Sequence, residues 1–215
     1  MDGNRRFAKR EGLPTFEGHR RGYEKLKELM RWAKKAGIGY VIVFAFSTEN
    51  WNRSPEEVSY LLDLFKFVFT SELGALKKEG IRVRCAGDRA RFLPELQTLM
   101  ARAEKETETL PGPTLVLALS YGGRSEILHA VDELLVSGVK KVSEKDFEAR
   151  LWTKGIPDPD LIIRTSGEMR LSGFLPWQSV YSELFFTRTL WPDFSEAEFN
   201  SILEEFAGRE RRIGK

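Results

Sequence analysis

The most chemically loaded stretch of the chain is Arg164-Thr165-Ser166-Gly167-Glu168-Met169-Arg170-Leu171-Ser172-Gly173. Two arginines among small hydroxyl residues suit phosphate oxygens, because a guanidinium stays charged and offers paired donors. The interspersed glycines let backbone amides come close to an anion. A second concentration, Ser47-Thr48-Glu49-Asn50-Trp51-Asn52-Arg53, packs ionisable, amide and aromatic groups into one short connection. The chain opens with Asp2-Gly3-Asn4-Arg5-Arg6. A hard carboxylate oxygen beside phosphate-binding groups is what Mg2+ requires, since that ion bridges acidic side chains and phosphate. His19 follows Gly18 where a helix is expected to begin, and the positive end of a helix dipole favours neutral imidazole or an anionic ligand. Taken singly, these are ordinary features: a turn with surface arginines, a solvated N-terminal turn, a helix-capping histidine. His129 and Cys85 read as structural, and neither histidine has neighbours at zinc-site spacing.

Those groups need a frame. Residues 19–36 carry Tyr23, Leu26, Leu29, Met30 and Ala33 at helical spacing, with Gly37 as a stop. Tyr40 to Phe46 is a continuous apolar run, which suits a strand buried on both faces of a parallel sheet. Ser54-Pro55-Glu56-Glu57 supplies an N-cap, a first-turn proline and a capping-box glutamate for a helix over 55–79. That helix is apolar around so much of its circumference that burial on two sides is expected. Residues 81–86 and 114–119 read as strands, 93–109 as a helix, and a further helix follows Gly122-Gly123. A short strand at Leu161–Ile163 and a helix over 196–207 complete the series. Strands alternating with helices imply a single α/β domain over 1–215, with a central, mostly parallel sheet flanked by helices. Ligands of such sheets gather beyond the carboxyl ends of the strands, where both polar stretches fall.

Composition narrows the class further. The 215 residues carry 34 Lys plus Arg and 32 Asp plus Glu, a net charge of +2, and 41% are hydrophobic, which excludes global disorder. One cysteine cannot make an internal disulfide, so a stapled secreted scaffold is excluded and a reducing cytoplasm is expected. No apolar run approaches the ~20 residues of a membrane-spanning helix. Residues 1–35 hold eleven basic against five acidic side chains. The residue types alone therefore point to an α/β domain that binds a phosphorylated ligand with Mg2+, and they name no reaction.

The same segments resemble the cis-prenyltransferase family, of the undecaprenyl diphosphate synthase type. The likeness runs from Asp2-Gly3-Asn4-Arg5-Arg6-Phe7-Ala8 through Gly18-His19 and Ala45-Phe46-Ser47-Thr48-Glu49-Asn50-Trp51-x-Arg53 to Tyr121-Gly122-Gly123-Arg124. It continues through Arg164-Thr-Ser-Gly-Glu168-x-Arg170-Leu171-Ser172, Trp177-Gln178, Tyr181-x-Glu183, Trp191-Pro192-Asp193 and Arg209-x-Arg211-Arg212-x-Gly214. This resemblance implies an enzyme that adds isopentenyl diphosphate to an allylic diphosphate such as farnesyl diphosphate, making longer Z-polyprenyl diphosphates. It implies Mg2+ held by Asp2 and Glu183. It implies an allylic diphosphate cradled by Gly3, Asn4, Arg5 and Arg6 near His19, with Phe7 and Trp51 flanking the allylic end. Arg53, Arg164, Arg170, Leu171 and Ser172 would hold isopentenyl diphosphate. Asn50, beside Phe46, Ser47, Thr48 and Glu49, would help position the departing proton.

The resemblance also implies an apolar tunnel walled by the helix over 55–79, and a homodimer in which Arg212 and Gly214 reach the neighbouring site. Nucleic acid is not an expected partner. The product lipid is destined for a membrane, so a cytoplasmic enzyme, peripheral at the membrane in one variant, is expected. Four departures stand out: no strand precedes Asp2, Thr15 replaces a frequent arginine, Phe7 a frequent tryptophan, and Gly173 a frequent asparagine. The lacking strand motivates an alternative, a non-catalytic prenyl-diphosphate-binding or scaffold subunit.

Overall fold

The computed structural model describes residues 1–209, so Arg212 and Gly214 lie outside the described residues. Helix α1 (Asn4–Arg10) precedes α2 (Thr15–Lys35), strand β1 (Tyr40–Ser47), α3 (Pro55–Thr70), α4 (Leu73–Lys78) and β2 (Arg82–Ala86). Then follow α5 (Pro94–Thr107), β3 (Thr114–Tyr121), α6 (Gly123–Val136), α7 (Glu144–Glu148), β4 (Leu161–Arg164), β5 (Glu183–Phe186) and α8 (Glu196–Gly208).

The strands are all parallel, but they form two sheets instead of one. In the first, β3 lies between β1 and β2, with Tyr40 and Arg82 both opposite Thr114. All eight residues of β3 are buried, as expected for a central strand covered on both faces. In the second, β4 pairs with β5, Leu161 opposite Glu183 and Arg164 opposite Phe186. Between the sheets lies a cavity of about 1090 Å³, lined by β1 on one side and β4 on the other. The main core, from Leu26, Phe46, Phe65, Leu96, Met100 and Phe194 among others, fills the space between the first sheet and α2, α3 and α5.

Several expectations are corrected. Helix α2 begins at Thr15, after Pro14, so His19 sits a full turn inside it rather than at its start. Helix α1, short and with only Ala8 buried, packs across α2 where glycine makes room. A Cβ on Gly18 would stand 2.2 Å from the Asn4 carbonyl oxygen, and one on Gly22 2.2 Å from Asn4 Oδ1. The helix over 55–79 is broken at Ser71-Glu72. There the Thr70 hydroxyl donates back to the Lys66 carbonyl at 2.8 Å, a bond that bends helices, and Glu72 is drawn towards Tyr23 and Lys27 of α2.

Behind α3 the structure places an apolar cavity of about 70 Å³, bordered by Leu61, Phe65 and Phe69 of α3 and Leu26 of α2. That is well below the roughly 300–1,000 Å³ of ligand pockets, so a formed tunnel is not seen there. The two-sided burial of α3 is met by packing against α2 and α5. Among the described residues, no helix is long and apolar enough to cross a membrane.

Candidate active site

The Asp2 backbone is fixed by residues far along the chain. Its amide donates to Thr165 Oγ1 at 3.1 Å, the Thr165 hydroxyl returns a 2.8 Å bond to the Asp2 carbonyl, and the Trp191 amide donates to that carbonyl at 3.0 Å. This sets the Asp2 carboxylate at the carboxyl end of β4, where Arg164 Nη2 donates to Oδ2 at 3.0 Å and Arg6 approaches Oδ1 at 3.4 Å. The Arg164 guanidinium also donates to Ser172 Oγ at 2.9 Å and to the Arg170 carbonyl. Arg6 donates to the carbonyl and the hydroxyl of Ser166, and it and Arg170 both pair with Glu168. Three guanidinium groups and two carboxylates thus meet at one mouth of the large cavity, and Asp2, Arg164, Arg170, Leu171 and Ser172 line it. A doubly charged anion entering there would find donors already gathered, with the apolar wall of Val43, Ile162 and Phe194 beyond.

A second group converges on a residue that the sequence reading used only as a cap. Ser54 Oγ does accept the Glu57 amide at 3.3 Å. The Glu57 side chain, however, turns inward: it accepts from Arg53 Nη1 at 2.8 Å, faces His19 Nε2 at 3.2 Å and lies 3.9 Å from Arg5 Nε. Burial pushes the His19 pKa below its ordinary value against the pull of Glu57, with nearby Arg53 adding to the lowering. Burial likewise depresses Arg53, opposed by Glu57 and helped by repulsion from Arg5.

The connection after β1 holds itself. Asn50 Oδ1 accepts the Ser47 amide at 3.0 Å while the Ser47 side chain accepts the Asn50 amide, a reciprocal cap on the single turn over Thr48–Asn52. Burial raises the Glu49 pKa, but hydrogen bonds from its own amide and from the Ser47 and Thr48 hydroxyls outweigh it and leave the carboxyl below the usual range. Ser47, Thr48, Glu49, Asn50 and Arg53 all face the large cavity. The site therefore joins the two polar stretches and the N-terminal segment.

Other expected site residues stand elsewhere. Phe46 is fully buried in the core, and Trp51 packs on it at 5.0 Å between centroids, its indole donating to Ser120 Oγ at 3.0 Å. Phe7 carries the Arg10 guanidinium 5.1 Å from its ring centre. Phe7 and Trp51 are thus engaged with different partners. Glu183 opens β5 and is held by Arg209 Nη1 at 2.6 Å. Three residues of strand register separate it from the level of Arg164, about 10 Å along the strands, so this chain does not bring it to Asp2. Besides Glu57, Thr165, Ser166 and Glu168 belong to the site, and Thr165 and Ser166 are hydroxyl residues of the Arg164–Gly173 stretch.

The donor set at the mouth accords with Mg2+ arriving on a diphosphate. Magnesium keeps most of its waters and takes one or two protein carboxylates beside substrate phosphates, and Asp2 offers one, half exposed. Among the described residues no group of three or more His, Cys, Asp or Glu side chains could hold a standing ion.

Fold and site together define an α/β protein with a cluster of guanidinium, carboxylate and hydroxyl groups at the mouth of a largely apolar cavity. The Prenyltransf family model, which describes undecaprenyl diphosphate synthases, matches residues 1–214. Isoprenyl transferases of Thermotoga maritima and Chromobacterium violaceum are 47% and 45% identical over the whole of this chain, which covers 94% and 86% of theirs. Lavandulyl diphosphate synthase from Lavandula x intermedia, solved with dimethylallyl diphosphate, superposes with a TM-score of 0.93 at 33% identity, covering 100% of this chain and 95% of that one. A probable undecaprenyl diphosphate synthase from Campylobacter jejuni gives 0.82 at 32% identity, covering 91% and 92%. The chain belongs to the cis-prenyltransferase family and is a prenyl-transferring enzyme.

Proposed function

We propose that the enzyme condenses isopentenyl diphosphate with an allylic diphosphate of farnesyl type, lengthening the chain with Z double bonds. The observation that carries this reading is the convergence of Asp2, Arg6, Arg164 and Ser172 at the mouth of the large cavity. In the reaction the allylic C1–O bond breaks and diphosphate leaves with the electron pair. The isopentenyl double bond forms the new C–C bond at that carbon, and loss of a proton from the isopentenyl unit restores a double bond. Arg164, Arg170 and Ser172 bind the isopentenyl diphosphate, and Gly3 to Arg6 receive the allylic one. Glu57 orients His19 and Arg53 between them. Asn50, fixed by Ser47, orients the group that takes the proton; an amide is too weak a base to take it, so diphosphate or water accepts it. Bound Mg2+, held by Asp2, would supply charge stabilisation to the departing diphosphate.

We infer further that a chain-length tunnel forms behind α3 by widening of the small cavity there, and that the enzyme works as a homodimer, which would offer Glu183 a route to a second site. Incubation of the purified protein with farnesyl diphosphate, labelled isopentenyl diphosphate and Mg2+ should give longer prenyl diphosphates, and a chelator should stop it. No product from any of several allylic primers, with both substrates and metal present, overturns the reading.

A further inference from the structure

Beneath the 170–178 segment lies a carboxylate that no step of the proposed reaction uses. Glu126, in the first turn of α6, is fully buried. Its Oε1 accepts the Thr153 amide at 3.0 Å and the Thr153 hydroxyl at 2.9 Å. Its Oε2 accepts Gln178 Nε2 at 3.0 Å and the Tyr121 hydroxyl. Gln178 Nε2 also donates to Thr153 Oγ1 at 2.6 Å, so Glu126, Thr153 and Gln178 close a ring. All four donors are neutral. For stability alone such a group is a poor choice, since well-packed apolar residues of the same volume do as well or better. What a fully bonded buried carboxylate does provide is a fixed position for the chains that meet on it.

One of those chains is under conformational load. Ser172, Gly173 and Leu175 have φ of 51°, 79° and 51°, and Ser172 and Leu175 are residues with a side chain in the left-handed region. Such conformations persist only where surrounding contacts over-determine them. Here, beside the stacking of Phe174 on Phe44 of β1, the contacts come from the start of α6 and its network. The Gly123 amide donates to the Gly173 carbonyl at 2.8 Å, and a Cβ on Gly123 would stand 2.1 Å from Pro176 Cδ. Leu175 is buried against Tyr121, whose hydroxyl is on Glu126. Gln178 closes the far end. The near end of the same segment carries Ser172 and the Arg170 carbonyl, both on the Arg164 guanidinium.

We propose that Glu126, acting through Gln178 and Thr153, is the positioning residue of the isopentenyl diphosphate subsite. It holds the strained Ser172–Leu175 turn in the shape that presents Ser172 and Arg164 to that ligand, and so sets affinity for the acceptor without touching the allylic donor. This rests on the reading that the 164–172 loop receives isopentenyl diphosphate.

The deciding variant is Gln178→Leu, which keeps the volume and cuts the link to the turn, with Thr153→Val as a milder cut and Glu126→Gln as the most severe. Steady-state KM for each substrate, calorimetric binding of isopentenyl diphosphate and thermal unfolding are measured on each variant. Gln178→Leu should raise KM and Kd for isopentenyl diphosphate about tenfold or more while KM for farnesyl diphosphate stays within about twofold. Thr153→Val should move them the same way by less. Should Glu126→Gln fail to fold, the other two variants decide. Equal rises in both KM values, or a lowered Tm with both KM values unchanged, overturn the inference. If the unaltered enzyme turns over both substrates in that experiment, only the positioning role is lost; if it neither binds nor uses isopentenyl diphosphate, the underlying reading of the loop falls with it.

Discussion

The two cationic corners of the site are built on opposite plans. At the β4 mouth three arginines share two carboxylates: Arg164 is largely buried, while about half of the Arg6 side chain and more of the Arg170 side chain lie in water. At the α2–α3 corner two arginines and a histidine share one carboxylate, Glu57, whose side chain is 13% exposed. The Arg6 and Arg170 pairs can be traded for a ligand's oxygens at little cost, since exposed pairs are weak. The closed corner cannot be rearranged so cheaply, because removing one partner leaves another charge desolvated. The mouth is therefore suited to exchanging anionic ligands, and the corner to holding a fixed field beside them.

Asp2→Asn should produce the largest effect, lowering kcat by about 10²–10³-fold, since it removes both the implied metal carboxylate and the partner of Arg164. A loss under tenfold, measured with Mg2+ in excess, would mean that the mouth functions without its acid. Arg164→Lys keeps the charge but not the fork that reaches Asp2, Ser172 and the Arg170 carbonyl. It should cost about 10–100-fold in kcat/KM for isopentenyl diphosphate, the size of losing one or two charged hydrogen bonds. Stability should change little, because lysine keeps the positive charge beside Asp2 even though the Arg164 side chain is largely buried.

Glu57→Gln should divide its effect the other way. Leaving Arg53 and His19 poorly matched should lower Tm by roughly 3–10 °C in scanning calorimetry, with a smaller loss of activity. An unchanged Tm would mean that the corner is no more rigid than the mouth. The smallest expected effect is in pH. His19 has its pKa lowered in the folded state, so between that value and the ordinary 6.5 the unfolded chain binds more protons. Stability should therefore fall as pH drops below about 6.5 and be fully present above it, and His19→Gln should flatten that slope in urea titrations at pH 5–7.

Much of this was readable from residue types. The spacing of Leu26, Met30 and Ala33, the apolar run of β1, and Pro55 after Ser54 locate elements whose cores and caps are local. Asp2, Arg164 and Ser172 stand out in the sequence by their side-chain types, and the structure brings them together. What escaped depends on tertiary contact. Helix α1 buries one residue and owes its place to glycines on α2, so no periodicity marks it. The α3–α4 break has neither glycine nor proline, only a threonine hydroxyl turned back on its own helix. Glu57 looked like half of a capping box, and only the approach of α2 shows where its carboxylate goes. Strand β5 starts on Glu183 and buries only Phe185, so no apolar run marks it.

Among the described residues, no strand pairs with the side of β1 away from β3 or of β4 away from β5, so each sets a row of backbone amides and carbonyls against the same greasy cleft. Such a row is a template for any extended backbone, including that of a partly unfolded neighbour. Storage at high concentration should therefore drive slow self-templating into fibrillar or amorphous deposits, and a short hydrophobic peptide that lodges in the cleft should delay it.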